Sequence, residues 1–484
     1  MKAPEVVILG AGMGGLSAAV HCRLHGAEVV LVEKGRVGGK AAGVELAGYR
    51  LDPGPSIVIL PEIYRGVFER ANRRMDDYLQ FDRLDPISRV FFGADLPLDL
   101  PAGRDACCDL VETVDREDGV AFRDLLKRLD RAAPHIEQSI FTHPYHHALQ
   151  LFDPHLFAVA RGFDPRLTYR QTVDRMFRSP LLRAFFYGFP SYAGQSYDTR
   201  GAGSLMIPYY MLAGGVYYPR GGVAAIPAAF QRLAKELGVQ IALGESVKSL
   251  SRAGERIRVQ LDSRLLEADF VISNIDRLAT EQMLGRNFSG RPSYSYFTMH
   301  WGLRSPVSAL SHHNLIIPVE FEKGFTQLYG ARRVPDKPIV YVNHATAVDP
   351  DAAPPGRSNV FAVLTVPAME PHLDWKVERE KAREKITQSL ESIGIEINED
   401  LADFERIQDP PYFESEHGNY KGSLYGLDER DRPFGGLFPL RCSDPEFGNL
   451  FYCGGSVQPG AGLPMTTLSG KFAADLMAKA ARLV

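Results

Sequence analysis

"VVILGAGMGGLSAAVHCRLHGAEVVLVE", residues 6–33, is the stretch that decides the fold. Val6–Leu9 is a short continuous apolar run that stops at a glycine, the pattern of a buried parallel strand. Gly10-x-Gly12-x-x-Gly15 follows, then apolar residues at helical spacing, with Gly26 suited to the helix C-terminal cap. A second apolar run ends at Glu33. In this order each residue type has a physical task. Gly10 permits the tight turn. Gly12 lacks a Cβ, so the backbone of Gly12, Met13 and Gly14 can approach a pyrophosphate. Gly15 lets the helix pack close to the strand. The helix N-terminus offers unpaired N–H groups and a positive dipole end to phosphate, and Glu33 can accept hydrogen bonds from ribose hydroxyls. A lone GxGxxG also occurs in turns that bind nothing; the strand–turn–helix–strand context is what points to an adenine dinucleotide.

Working outward, "KGRVGGKAAGVELAGYRLDPGPSIV", residues 34–58, follows the acid. A nicotinamide-binding unit proceeds here to another strand and helix. This chain instead shows glycine pairs and hairpin residues, as though covering an extended cofactor, although such glycines can also mark turns alone. Arg36 and Lys40 can supply positive charge to a pyrophosphate, and Lys34 is counted with them as cofactor-binding. The run resembles the opening of the FAD-dependent amine-oxidase and phytoene-desaturase superfamily: GxGxxG, a ribose acid, a GG(R/K) pair, then a D-x-GP-(S/T) turn. The resemblance implies FAD, approached by Gly38, Gly39, Lys40, Pro55 and Ser56, with Ser56 near the isoalloxazine.

The composition bounds the rest. A chain of 484 residues exceeds a single core of roughly 250–300 residues. Its 45% hydrophobic and 24% charged content is that of a globular protein. The net charge of −4 leaves no basic excess for phosphate neutralisation, so nucleic acid is not an expected partner. Five cysteines without a CxxC pair predict a reducing compartment and neither disulfides nor a zinc site. With no signal-peptide cleavage region and no run of ~20 apolar residues, the expected location is cytoplasmic, peripheral to the inner face of the membrane.

From about Asp115 the pattern is helical and then rich in aromatics, Phe141 to Tyr192, with arginines interleaved. Three readings stand: a membrane-docking face, the core of a helical subdomain, or the lining of a long apolar tunnel. Tyr217-Tyr218-Pro219-Arg220-Gly221-Gly222 is similar to a (W/Y)-x-P-(K/R)-GG turn of the same superfamily, and the strands after it would bring Val247 to the adenine. Asn274 reads as a helix N-cap. "SHHNLII" and "DPDAAPPGRS" match segments of bacterial phytoene desaturases. His312-His313 lacks a third ligand at metal spacing, so no metal is expected.

The second glycine cluster, "CGGSVQPGAGLPM" at residues 453–465, reads as another strand-to-helix turn. Gly454, Gly455, Ser456, Leu463, Pro464 and Met465 would hold the ribityl chain and pyrimidine edge, so that two turns serve the two ends of one cofactor. The chain departs from the wider pattern in having no acid near Gly455, and Gln458 where carotenoid-branch relatives often carry histidine. Glutamine does not titrate near neutral pH, which argues against proton shuttling there.

The expected fold is α/β: a Rossmann-like FAD-binding domain (1–85, 213–282 and 445–484), a discontinuous α+β substrate domain (86–114 and 283–444), and a helical, aromatic-rich subdomain (115–212). By resemblance to the bacterial carotenoid desaturases, the expected reaction introduces C=C bonds into a carotenoid or related isoprenoid polyene by hydride transfer to flavin N5. Oxygen or a membrane quinone would take the electrons. Arg220, Tyr425 and Gln458 are the polar groups placed near the ring by motif position. A polyene saturase or isomerase and a flavin amine oxidase of the same fold are the alternatives.

Overall fold

The computed structural model describes residues 2–93, 96–145, 148–164, 166–287, 290–433, 436 and 438–484. The opening stretch folds as strand Glu5–Leu9, helix Met13–Leu24 and strand Glu28–Glu33. These strands are parallel, and distant segments extend them into a sheet ordered Leu450–Tyr452, Phe270–Ser273, Glu5–Leu9, Glu28–Glu33, Gln240–Leu243. Every neighbouring pair in it is parallel. Val6 to Leu9 are all buried because both faces of the strand are covered. Val6 and Ile8 pack with the helices, whereas Val7, Leu9 and Val32 meet Leu250 and Val259 of a small antiparallel sheet, Val247–Ala253, Arg256–Leu261 and Leu265–Ala268. The last helix, Leu463–Ala480, lies against the first so closely that a Cβ on Gly470 would sit 2.3 Å from the Gly14 carbonyl oxygen.

A second sheet runs Ala402–Gln408, Tyr294–Leu303, Ser358–Pro367, Val340–His344, His313–Ile317, Ser88–Phe92, Leu98–Leu100. Only the pairing of His313–Ile317 with Ser88–Phe92 is parallel among its described ladders. Strand alternation sorts its side chains. Phe297 and Met299 join a core with Ala382 and Ile386 of helix Trp375–Glu391. Tyr296 and Thr298, one residue out of phase, face a cavity.

Against the second sheet packs a helical region that includes Arg104–Val114, Arg116–Gln138, Tyr169–Met176, Pro180–Tyr187 and Met206–Gly214. The Asp115 carboxylate accepts the Asp118 N–H at 2.9 Å and so caps the longest of these. Phe122, Leu125, Leu126 and Leu129, at helical spacing, form its buried face. The buried Asp118 carboxylate accepts the N–H groups of Arg178 and Ser179, each at 2.8 Å, fastening the loop before Pro180–Tyr187. Most of the aromatic run is core: Tyr169, Phe177, Phe186 and Tyr187 are buried, and Phe177 stacks on Phe186 at 4.8 Å. Phe141, Phe163 and Tyr192 are part-buried and face the cavity, and Phe152 and Phe157 are 70% and 52% exposed. No helix among the described residues is long and apolar enough to cross a membrane.

One local expectation is corrected. Asn274 caps no helix; the N-cap of Arg277–Met283 is Asp276, whose Oδ1 accepts the N–H groups of Leu278 and Ala279. The Asn274 side chain is turned toward the glycines instead.

Candidate active site

Both glycine turns end at helix N-termini that no side chain among the described residues caps: Gly12 before Met13–Leu24 and Gly462 before Leu463–Ala480. Their N–H groups are therefore free for a ligand. Both turns border one cavity of about 2050 Å³, which continues past the second sheet into the helical region. Gly10, Gly12, Met13 and Gly14 line it, as do Gly38, Gly39 and Lys40 of the next turn. Gly15 stands behind the wall: a Cβ there would lie 2.0 Å from the Gly10 carbonyl oxygen, so its role is helix-to-strand packing.

Asn274 fills the space between the two turns. A Cβ on Gly12 would lie 2.8 Å from its Nδ2, and one on Gly14 or Gly454 would lie 2.4 or 3.0 Å from its Oδ1. Its Nδ2 donates to the Gly10 carbonyl at 3.4 Å. An isolated asparagine after a strand carries no spacing signal, which is why the sequence did not mark it as part of the site. Glu33 accepts the Ala11 N–H through one oxygen and the Gly35 N–H through the other, each at 2.8 Å. The carboxylate is thus fixed at the cavity edge with acceptor sites to spare. Lys34, Arg36 and Val247 line the same end, and Pro55 and Ser56 line the cavity farther along.

Lys40 is enclosed by protein and yet exposed, because what exposes it is the cavity. Burial pulls its pKa down, partly offset by the Asp276 carboxylate, and its Nζ donates to Asn419 Oδ1 at 3.1 Å. Across from it, burial and then the charges of Lys40, Lys34 and Arg406 hold His417 at about 3, so this wall residue is neutral.

The second turn is anchored from outside. The Gly454 N–H donates to Ser469 Oγ at 3.0 Å, and Gly454, at φ 108°, occupies a conformation that favours glycine. Just before it, Tyr452 donates to Asp444 at 2.6 Å, and Arg286 donates to both oxygens of Asp444 at 2.7 and 3.1 Å. Burial alone would raise Asp444, but the hydrogen bonds from Arg286, Tyr452 and two backbone N–H groups prevail and hold it at about 2. Gly455, Leu463, Pro464 and Met465 reach the cavity.

Besides Gly15, three expected site residues do not. Ser456 is 7% exposed and its hydroxyl accepts the Arg277 N–H at 2.9 Å, bracing that helix from behind the wall. Gln458 is 1% exposed; its Nε2 donates to the Tyr145 carbonyl at 2.9 Å and its Oε1 accepts the Tyr145 N–H, so the amide clamps the helical region to the turn. Arg220 lies on the surface with its side chain 63% exposed, paired with Asp82 at 2.8 Å and donating to Gln80. Its neighbour Asp52 shows why the segment is held: the carboxylate accepts the N–H groups of Val223 and Ala224. Tyr425 does line the cavity, with its hydroxyl 2.7 Å from that of Tyr296 and the two rings perpendicular. Burial raises both phenols, so they stay protonated.

The histidine pair His312-His313 lies at the start of strand His313–Ile317, hydrogen-bonded to the His344 carbonyl and to Tyr341 respectively. Among the described residues no group of three or more His, Cys, Asp or Glu is gathered as a metal would require.

Free N–H ends, walls bare of Cβ atoms, a fixed acid and a cavity-facing lysine suit a long dinucleotide. The volume exceeds the roughly 300–1,000 Å³ of ordinary small-molecule pockets, which leaves room for a second extended ligand. Comparison with known proteins agrees. The model of the flavin-containing amine oxidoreductases matches residues 13–478. The zeta-carotene-forming phytoene desaturase of Myxococcus xanthus is 30% identical over 97% of this chain and 93% of its own. The 4,4'-diaponeurosporene oxygenase of Staphylococcus haemolyticus is 28% identical over 98% and 97%. A redesigned putrescine oxidase shares the fold, with a TM-score of 0.63 at 15% identity over 99% of each chain. The chain belongs to the flavin-containing amine oxidoreductase family and is an FAD-dependent oxidoreductase.

Proposed function

We propose that the enzyme introduces C=C double bonds into a carotenoid or related isoprenoid polyene. The observation that carries this reading is the continuity of the cavity. It runs without interruption from the glycine turns to a stretch bounded by Leu129, Ile136, Ile140, Phe141 and Phe163, a lining that suits a long hydrocarbon. The names of the relatives above support the substrate class. Bound FAD supplies the two-electron acceptor, with hydride taken at N5. The chain's own residues bind it through the two turns, exclude water with the aromatic wall, and present Tyr425 and Tyr296 as paired hydroxyls beside the substrate path. Residues 1–85, 213–282 and 445–484 then form the cofactor domain, 86–114 and 283–444 the substrate domain, and 115–212 the helical subdomain, with helix Arg104–Val114 packed onto the helical core.

In this reading the substrate arrives from a membrane at the inner face. Leu149, Phe152 and Phe157 are exposed, and Leu156, Phe157 and Val159 also line the cavity, so an apolar rim surrounds its helical end. Such a rim suits peripheral docking. Electrons leave to oxygen or a membrane quinone.

The test is an anaerobic incubation of stoichiometric holoenzyme with an acyclic C40 polyene in vesicles. Loss of the oxidised flavin absorbance together with a red-shifted polyene spectrum supports desaturation. A changed polyene over an unchanged flavin refutes it in favour of an isomerase, and turnover of simple amines refutes it in favour of an amine oxidase.

A further inference from the structure

A hydrogen-bonded chain runs from the cavity into the core of the second sheet. Ser56 Oγ is 2.7 Å from Tyr341 Oη, and Tyr341 Oη is 2.6 Å from His313 Nδ1. Ser56 and Tyr341 line the cavity, whereas His313 is 2% exposed. The other ring nitrogen, His313 Nε2, is buried without a hydrogen-bond partner among the described residues. Asn343, also buried, places Nδ2 3.4 Å from Tyr341 Oη.

The orphan nitrogen gives the chain a direction. Burial, and after it the neighbouring His312, push His313 well below its ordinary value, so the ring is neutral and carries one proton. A buried N–H without an acceptor is rarer than an acceptor left with a spare lone pair. The proton therefore belongs on Nδ1. Nδ1–H donates to Tyr341, the Tyr341 hydroxyl donates to Ser56, and the Ser56 hydrogen is left to point into the cavity.

The position of Ser56 is set as firmly as its polarity. A Cβ on Gly54 would lie 1.8 Å from the Lys40 carbonyl oxygen, so the loop carrying Ser56 is sealed onto the turn that borders the cofactor end. Tyr341 belongs to the sheet whose cavity-facing residues also include Tyr296 and Thr298, which border the substrate path. Ser56 thus stands where the two ends of the cavity join.

We propose that Ser56 is held as a hydrogen-bond donor to an acceptor atom of the flavin ring system, and that Tyr341 and His313 are positioning residues that fix its direction. This rests on the FAD assignment above. A fixed donor there stabilises negative charge gained by the ring on reduction, and so raises the midpoint potential of the bound flavin.

The experiment is an anaerobic redox titration of purified holoenzyme. Ser56→Ala and Tyr341→Phe should each make the bound flavin harder to reduce, by about tenfold in the two-electron equilibrium, which is about 30 mV. The double variant should be no lower than either single one. His313→Leu should match them, while His313→Asn, which puts an amide N–H in the place of Nδ1–H, should keep the wild-type potential. An unchanged potential in Ser56→Ala or Tyr341→Phe overturns the proposal, as do additive shifts in the double variant. These two single variants decide the matter even if His313→Leu does not fold. Wild-type protein that binds no FAD would instead remove the cofactor assignment, a separate outcome.

Discussion

At the glycine turns the cavity wall is largely backbone, with Asn274 filling the space between the turns and Ser469 and the Asp444–Arg286 pair holding the second one from behind. In the helical region the wall is side chain, and behind it stands a packed hydrocarbon core of Phe122, Leu125, Phe177 and Phe186. The difference follows from what each end must hold. A charged dinucleotide needs donors at fixed positions, which backbone N–H groups supply without side-chain entropy cost. A polyene offers nothing to hydrogen-bond, so its end needs only shape and dryness. Disturbance at the first end should strike binding, and disturbance at the second should strike stability.

The largest effect is expected from Gly12→Val. The branched side chain must enter the space of the Asn274 amide, 2.8 Å from the new Cβ, and the purified protein should be colourless; stoichiometric FAD by absorbance would break the comparison. Next, Phe186→Ala should cost about 3–5 kcal/mol in denaturant unfolding while the folded fraction keeps its FAD. Asp444→Asn, which leaves Arg286 less well paired, should cost about 3 kcal/mol at neutral pH. Because the folded pKa of Asp444 is depressed to about 2, against an unfolded value of about 3.9, its contribution is complete above about pH 4. It is lost as pH falls toward 2, so the unfolding curves of the wild type and of Asp444→Asn should converge there. The smallest stability effect belongs to Phe152→Ser with Phe157→Ser, within about 0.5 kcal/mol. Flotation with vesicles should nonetheless weaken by at least about tenfold, and unchanged flotation would remove the docking face.

The cofactor end was legible because its signals are local. Gly10, Gly12 and Glu33 fall within one strand–turn–helix–strand unit, and the spacing alone carries the geometry. What escaped notice depends on contacts between distant segments. Asn274 becomes meaningful only once two strands place it between turns some 180 residues apart from it at the nearer one, Gly454. Arg220 had the right motif position, but Asp82 on the paired strand Phe81–Arg83 draws it to the surface. Gln458 looked like a cavity residue because its neighbours are, yet the buried backbone of Tyr145 claims its amide. The aromatic run gave three readings because ring composition does not say which rings face inward. Core packing takes Phe177 and Phe186 and leaves Phe152 and Phe157 outside.

The close contact of Gly14 with Gly470 has a consequence for biosynthesis. Chains emerge from the ribosome N-terminus first, and early segments begin to fold before later ones exist. The unit Glu5–Glu33 is made well before Gly454 to Met465 and the helix Leu463–Ala480. Half of the cradle therefore waits for the other half while the more than four hundred residues between Glu33 and Gly454 are made. A cradle lined by both turns is complete only when both of these distant segments have reached their places.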